Sequence, residues 1–106
     1  MRRVALLIVA VSLASAPAAA QDRDALITHG RSLFAARGCS GCHSIGEGGA
    51  RLAPSLAKIG TQLDESSAKA WIRDPNLHKQ VVHSQVVRTL TAAEIDALAA
   101  FLASLR

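Results

Sequence analysis

Two thiols and an imidazole packed into five residues, CSGCH at Cys39 to His43, constrain this chain more than any other feature. They include both cysteines of the 106-residue sequence. Such a pair must be presented by one tight turn. The turn has little else to stabilise it, because the aromatic residues are limited to Phe34, Trp71 and Phe101. A small domain so poor in large side chains commonly depends on a disulfide, a metal or a cofactor for part of its core.

Residues 1–20, MRRVALLIVAVSLASAPAAA, read as a secretory signal peptide. Arg2 and Arg3 precede an apolar run from Val4 to Val11, and the run ends in small residues with an A-x-A site at Ala18 to Ala20. The run falls short of the ~20 residues of a spanning helix, so stable membrane insertion is not expected after cleavage. The expected mature domain is 21–106, exported to the periplasm. Losing Arg2 and Arg3 lowers the net charge from +4 to about +2. That charge, with no basic cluster and no aromatic stacking platform, argues against a nucleic-acid partner.

Asp22 to Arg37 has helical periodicity, with Leu26, Ile27, Leu33 and Phe34 near one stripe and Gly38 as a stop. Ser44 to Gly60 reads as loop, rich in glycine and holding Pro54. A middle helix is expected from Asp64 or Ser66 through Trp71 to Arg73, ended by Pro75. Asn76 to Arg88 is ambiguous between a short strand and a loop over a buried surface. TAAE at Thr91 to Glu94 is a capping box, and Ile95, Leu98, Leu102 and Leu105 follow at helical spacing. The fold class is therefore all-α, with three to four helices and long connections.

Several chemistries use a C-x-x-C-H arrangement. Covalent haem attachment needs two thiols to add across the two vinyl groups and a neighbouring histidine to reach the iron through Nε2. A redox dithiol needs a βαβ setting, and no parallel strands are evident. Zinc needs a second clustered pair of ligands, which is missing. A structural disulfide would close too short a loop to constrain the unfolded chain. Haem accounts for the set best, and the other three remain as alternatives.

GRSLFAARGCSGCH, APSL, AWIRDP and LTAAEIDALAAFLASL together resemble the small class I c-type cytochromes, over roughly Ala25 to Leu105. The resemblance implies a cytochrome c-like fold, with helices and loops wrapped around one haem c bound through Cys39 and Cys42. It implies His43 as proximal ligand, with the Pro54 carbonyl accepting from its Nδ1–H. It also implies a close crossing of the first and last helices at Gly30, with Phe34 and Phe101 packed there. Leu56 and Trp71 are expected beside the cofactor. Ala53 departs from the glycine more usual before this proline.

That family usually supplies a methionine as the sixth iron ligand, and here the only methionine is Met1. His83 is the leading replacement and His78 the next. Lys79, Gln85 and an open site are alternatives, and His29 reads as a surface residue. Two imidazoles would suit a one-electron carrier that binds nothing else. An open site would suit a sensor or a peroxidatic haem protein, although His83 and Arg88 are too loosely placed to form an acid–base pair. A third possibility is the cytochrome subunit of a periplasmic oxidoreductase. The expected protein is not itself an enzyme. It is a monomer or a subunit of a complex, docking redox proteins near Lys58, Lys69, Arg73 and Lys79.

Overall fold

The computed structural model describes residues 2–12, 18–74 and 81–106. Among them lie four α-helices: α1 (Ala18–Ala36), α2 (Glu65–Arg73), α3 (Val81–Val87) and α4 (Ala92–Ser104). Two 3-10 turns, at Cys39–Gly41 and Ile59–Thr61, and a two-stranded ribbon of β1 (Ser44–Ile45) and β2 (Gly48–Gly49) complete the order. The architecture is all-α, as expected. The apolar residues of 2–12 are exposed, Leu7 by 90%. No described helix is long and apolar enough to cross a membrane.

The core is a crossing of α1 and α4. Gly30 makes it possible: a Cβ there would lie 2.0 Å from the Ala97 carbonyl oxygen and 2.7 Å from the Phe101 Cβ. One turn further on, Phe34 meets Phe101 edge to face with ring centroids 5.8 Å apart. Leu33 and Leu98 complete this cluster. Ala97, Ala99 and Ala100 are fully buried, so α4 presents small side chains that let its neighbours approach its backbone.

Local chemistry sets the helix ends. Gly38 takes φ +83, the left-handed conformation that stops α1 and opens the cysteine turn. The Asp64 carboxylate caps α2 by accepting from the Ser67 N–H at 2.7 Å. The capping box at α4 is complete: Glu94 N–H donates to Thr91 Oγ1 at 3.1 Å, and Thr91 N–H donates to Glu94 Oε1 at 3.0 Å. On α2, Lys69 and Arg73 both reach Asp96 of α4, at 3.0 and 3.7 Å. These two cations, expected among the docking residues, are therefore engaged within the fold.

Two expectations need correction. Val81–Val87, read as strand or loop, is the helix α3. Its β-branched valines favour strands in isolation, but propensity is a weak prior that tertiary context overrides. The first helix begins at Ala18 rather than Asp22, since Ala18 to Ala20 are strong helix formers. It thus runs across the expected leader boundary at Gln21. Pro75, His78 and Lys79 lie outside the described residues.

Glu94 serves two partners, because its Oε2 also accepts from Arg37 Nη2 at 2.6 Å. The Thr91 N–H, and after it the Arg37 guanidinium, hold its pKa below the ordinary carboxylate value. A depressed carboxylate contributes stability above its unfolded-state pKa, and that contribution disappears as pH falls through the folded-state value. Glu94→Gln keeps a capping box but not the charge. The expected result is a thermal midpoint lower than wild type at pH 7. The two should converge as pH drops below about 4.3. A gap that stays constant between pH 7 and pH 3 would refute the assignment.

Candidate functional site

The cysteine turn is one half of a built site. His43 N–H donates to the Cys39 carbonyl at 3.0 Å and Cys42 N–H to the same oxygen at 3.3 Å, which curls the CSGCH segment tightly. The following loop hangs on the carbonyls around His43. Ala50 N–H donates to Ser40, Leu52 and Ala53 N–H to Cys42, and Leu56 N–H to Ser44, at 2.9 to 3.0 Å. These bonds carry the Pro54 carbonyl to 2.7 Å from His43 Nδ1. With Nδ1–H donating there, Nε2 retains the lone pair that a metal needs. Gly49 makes the loop's return possible: it has φ +86, and a Cβ on it would lie 2.3 Å from the His43 carbonyl oxygen.

The other half comes from α2, α3 and α4. A cavity of about 630 Å³ is lined by Cys39, Cys42, His43, Pro54, Leu56, Trp71 and His83, which are the expected cofactor and ligand residues. Its remaining walls are mainly apolar, from Leu52, Ile59, Leu63, Ile72, Val86, Val87, Leu90, Leu98 and Leu102. The loop and α3 members of that wall had no readable periodicity. Those on α4 belong to the helical stripe that the sequence already displays. His29 and Gln85 are exposed. A smaller cavity of about 280 Å³, beside Arg31, Ser40 and Phe101, contains no thiol or imidazole.

Across the larger cavity, the His43 and His83 rings stand with centroids 6.1 Å apart and planes inclined at 41°. Two imidazoles on opposite sides of one metal, with metal–nitrogen bonds of about 2 Å, place their centroids roughly 6 Å apart. The spacing fits two ligands sharing a metal, and it also lies within the roughly 4.5–7 Å range of an ordinary tilted ring pair.

The alternatives to haem fit this site less well. The cysteines are not joined in a disulfide. Burial pushes the Cys39 thiol above its ordinary pKa, outweighing a hydrogen bond that lowers it. A reactive redox dithiol needs the opposite shift. Among the described residues no three histidine, cysteine or acidic groups gather as a metal cluster, so zinc lacks its ligands. A large, mainly apolar cavity lined by two thiols and two imidazoles does fit a haem. Its volume lies within the ~300–1,000 Å³ of cofactor sites.

Comparison with known proteins agrees with this chemistry. The family model described as Cytochrome c matches residues 27–106. Cytochrome c oxidase subunit 2 of Alkalihalophilus pseudofirmus is 29% identical over 94 residues, which cover 81% of this chain and 28% of that relative. The chain thus spans little more than a quarter of that protein's length. No solved structure gives a match.

Proposed function

We propose that this chain, which belongs to the cytochrome c family, is a periplasmic one-electron carrier with a single haem c held between His43 and His83. When bound, the haem supplies a reversible Fe(III)/Fe(II) couple. Cys39 and Cys42 anchor it covalently. His43 ligates through Nε2 while the Pro54 carbonyl fixes its ring and raises its basicity. The apolar walls would shield the inner part of the group from water. The leader at 1–20 supports export to the periplasm.

The observation that carries the reading is the convergence of Cys39, Cys42, His43 and His83 on one largely apolar cavity, with the two imidazole rings 6.1 Å apart. A second imidazole in place of a thioether lowers the reduction potential. It also fills the position at which a small molecule would otherwise meet the iron, which favours a carrier over a sensor or a peroxidatic protein. Partner proteins would approach where Leu52 and Trp71, both on the cavity wall, are 82% and 41% exposed. Lys58, one residue before Ile59 of the cavity wall, is also exposed. A second reading follows from the likeness to an oxidase subunit: the same electron transfer, performed as the haem-bearing part of an oxidoreductase complex.

His83→Ala tests the ligand. The wild-type protein should be six-coordinate and low-spin in both oxidation states and should not bind carbon monoxide. The variant should become high-spin in the ferric state and take up carbon monoxide once reduced. An unchanged low-spin spectrum in the variant would remove His83 from the iron.

A further inference from the structure

One carboxylate lies on a continuous path between the two sides of the iron site. Glu94 Oε2 accepts from Arg37 at 2.6 Å. Arg37 directly precedes Gly38, whose left-handed backbone opens the turn carrying Cys39 and His43. Glu94 Oε1 accepts from the Thr91 N–H at 3.0 Å. Thr91 follows closely on α3, the helix of His83, and the link has no slack. Thr89 donates to the Val86 carbonyl from both N–H and Oγ1, at 3.0 and 2.7 Å, and Leu90 N–H donates to Val87 at 3.1 Å. A helix as short as α3 has no independent stability, so its attachments decide its orientation. The Glu94 side chain is only 14% exposed, which shields the ion pair from full solvent screening.

We infer that Glu94 is a positioning residue for the sixth iron ligand: through Arg37 and Thr91 it sets the span between the turn bearing His43 and the helix bearing His83. Glu94 touches neither ligand. It acts by holding the start of α4, and with it the end of α3, at a fixed distance from the cysteine turn. Loss of the carboxylate charge frees α3 to swing outward and opens the distal side locally, while the α1–α4 crossing holds. The inference rests on the reading of His83 as distal ligand.

The test measures cyanide binding to the ferric holoprotein under conditions where it is fully folded. If opening of the His83 side limits binding, the observed rate reports the open population. Glu94→Gln, which keeps a capping box and lacks only the charge, is expected to raise the rate roughly fivefold or more. Arg37→Met should do the same, Arg37→Lys should largely restore the wild-type rate, and the double variant should be no faster than either single one. In a His83→Ala background, cyanide binding should already be fast and Glu94→Gln should add nothing. A wild-type rate in Glu94→Gln overturns the inference and leaves the ligand reading intact. An equal acceleration with and without His83 also overturns it, because it would show a general loosening. A low-spin spectrum that survives His83→Ala overturns the ligand reading itself, independently of Glu94.

Discussion

Replacing Cys39 and Cys42 together with alanine is expected to yield a polypeptide that carries no covalent haem and does not fold. The first result is a matter of bonds, since these are the only thiols in the chain. The second follows from what surrounds the cavity. The buried apolar residues among those described are Leu33, Phe34, Ile95, Leu98, Phe101 and four alanines. Nothing in that set could fill a space of about 630 Å³. Without a cofactor that space is open to water and its apolar lining stays wet, which forfeits about 25 cal/mol for each Å². A typical domain has only about 5–15 kcal/mol of stability to lose. The chain without its cofactor should therefore collapse the cavity and lose its cooperative transition. Mass spectrometry of the denatured product and far-ultraviolet circular dichroism check both halves. Retained helix with a sharp unfolding transition, in protein shown to be free of haem, would defeat the argument.

Gly30→Ala should cost more than any other single methyl group added to the helices. The new Cβ would sit 2.0 Å from the Ala97 carbonyl oxygen and 2.6 Å from its carbon. Both are backbone atoms inside α4, so no rotamer change relieves the clash. The helices must separate, and the Phe34–Phe101 contact at 5.8 Å separates with them. Overpacking of this kind costs about 1–3 kcal/mol, and more where backbone must move. Removing a helical glycine returns only about 1 kcal/mol. We expect a net loss of about 2 kcal/mol in denaturant unfolding of the holoprotein, with haem still attached. A loss under about 1 kcal/mol would mean that the crossing is looser than described.

The parts of this structure that were legible in the sequence are those with local chemistry. CSGCH, the Thr91–Glu94 capping box and the helical stripe of α4 are each defined by residues a few positions apart. The distant partners of Gly30, Phe34, Pro54 and Phe101 were legible only through the resemblance, because each acts on a residue far away in the chain. His83 could be nominated as a ligand, but not its spacing from His43. Its helix was missed, since VVHSQVV shows neither a 3.6-residue stripe nor a cap. The pairing of Arg37 with Glu94 leaves no trace in sequence: they are 57 positions apart, and either could have been an ordinary surface charge. The hold of Asp96 on Lys69 and Arg73 is invisible for the same reason.

The crossing at Gly30 also bears on the order of folding. Its two halves, around Gly30 and Ala97, lie at distant points of the chain, and such non-local pairings form late. Until α4 docks, Leu98 and Leu102 are missing from the wall they share with Cys39 and Cys42, so the thiols stay more open in the unfinished chain than in the folded one.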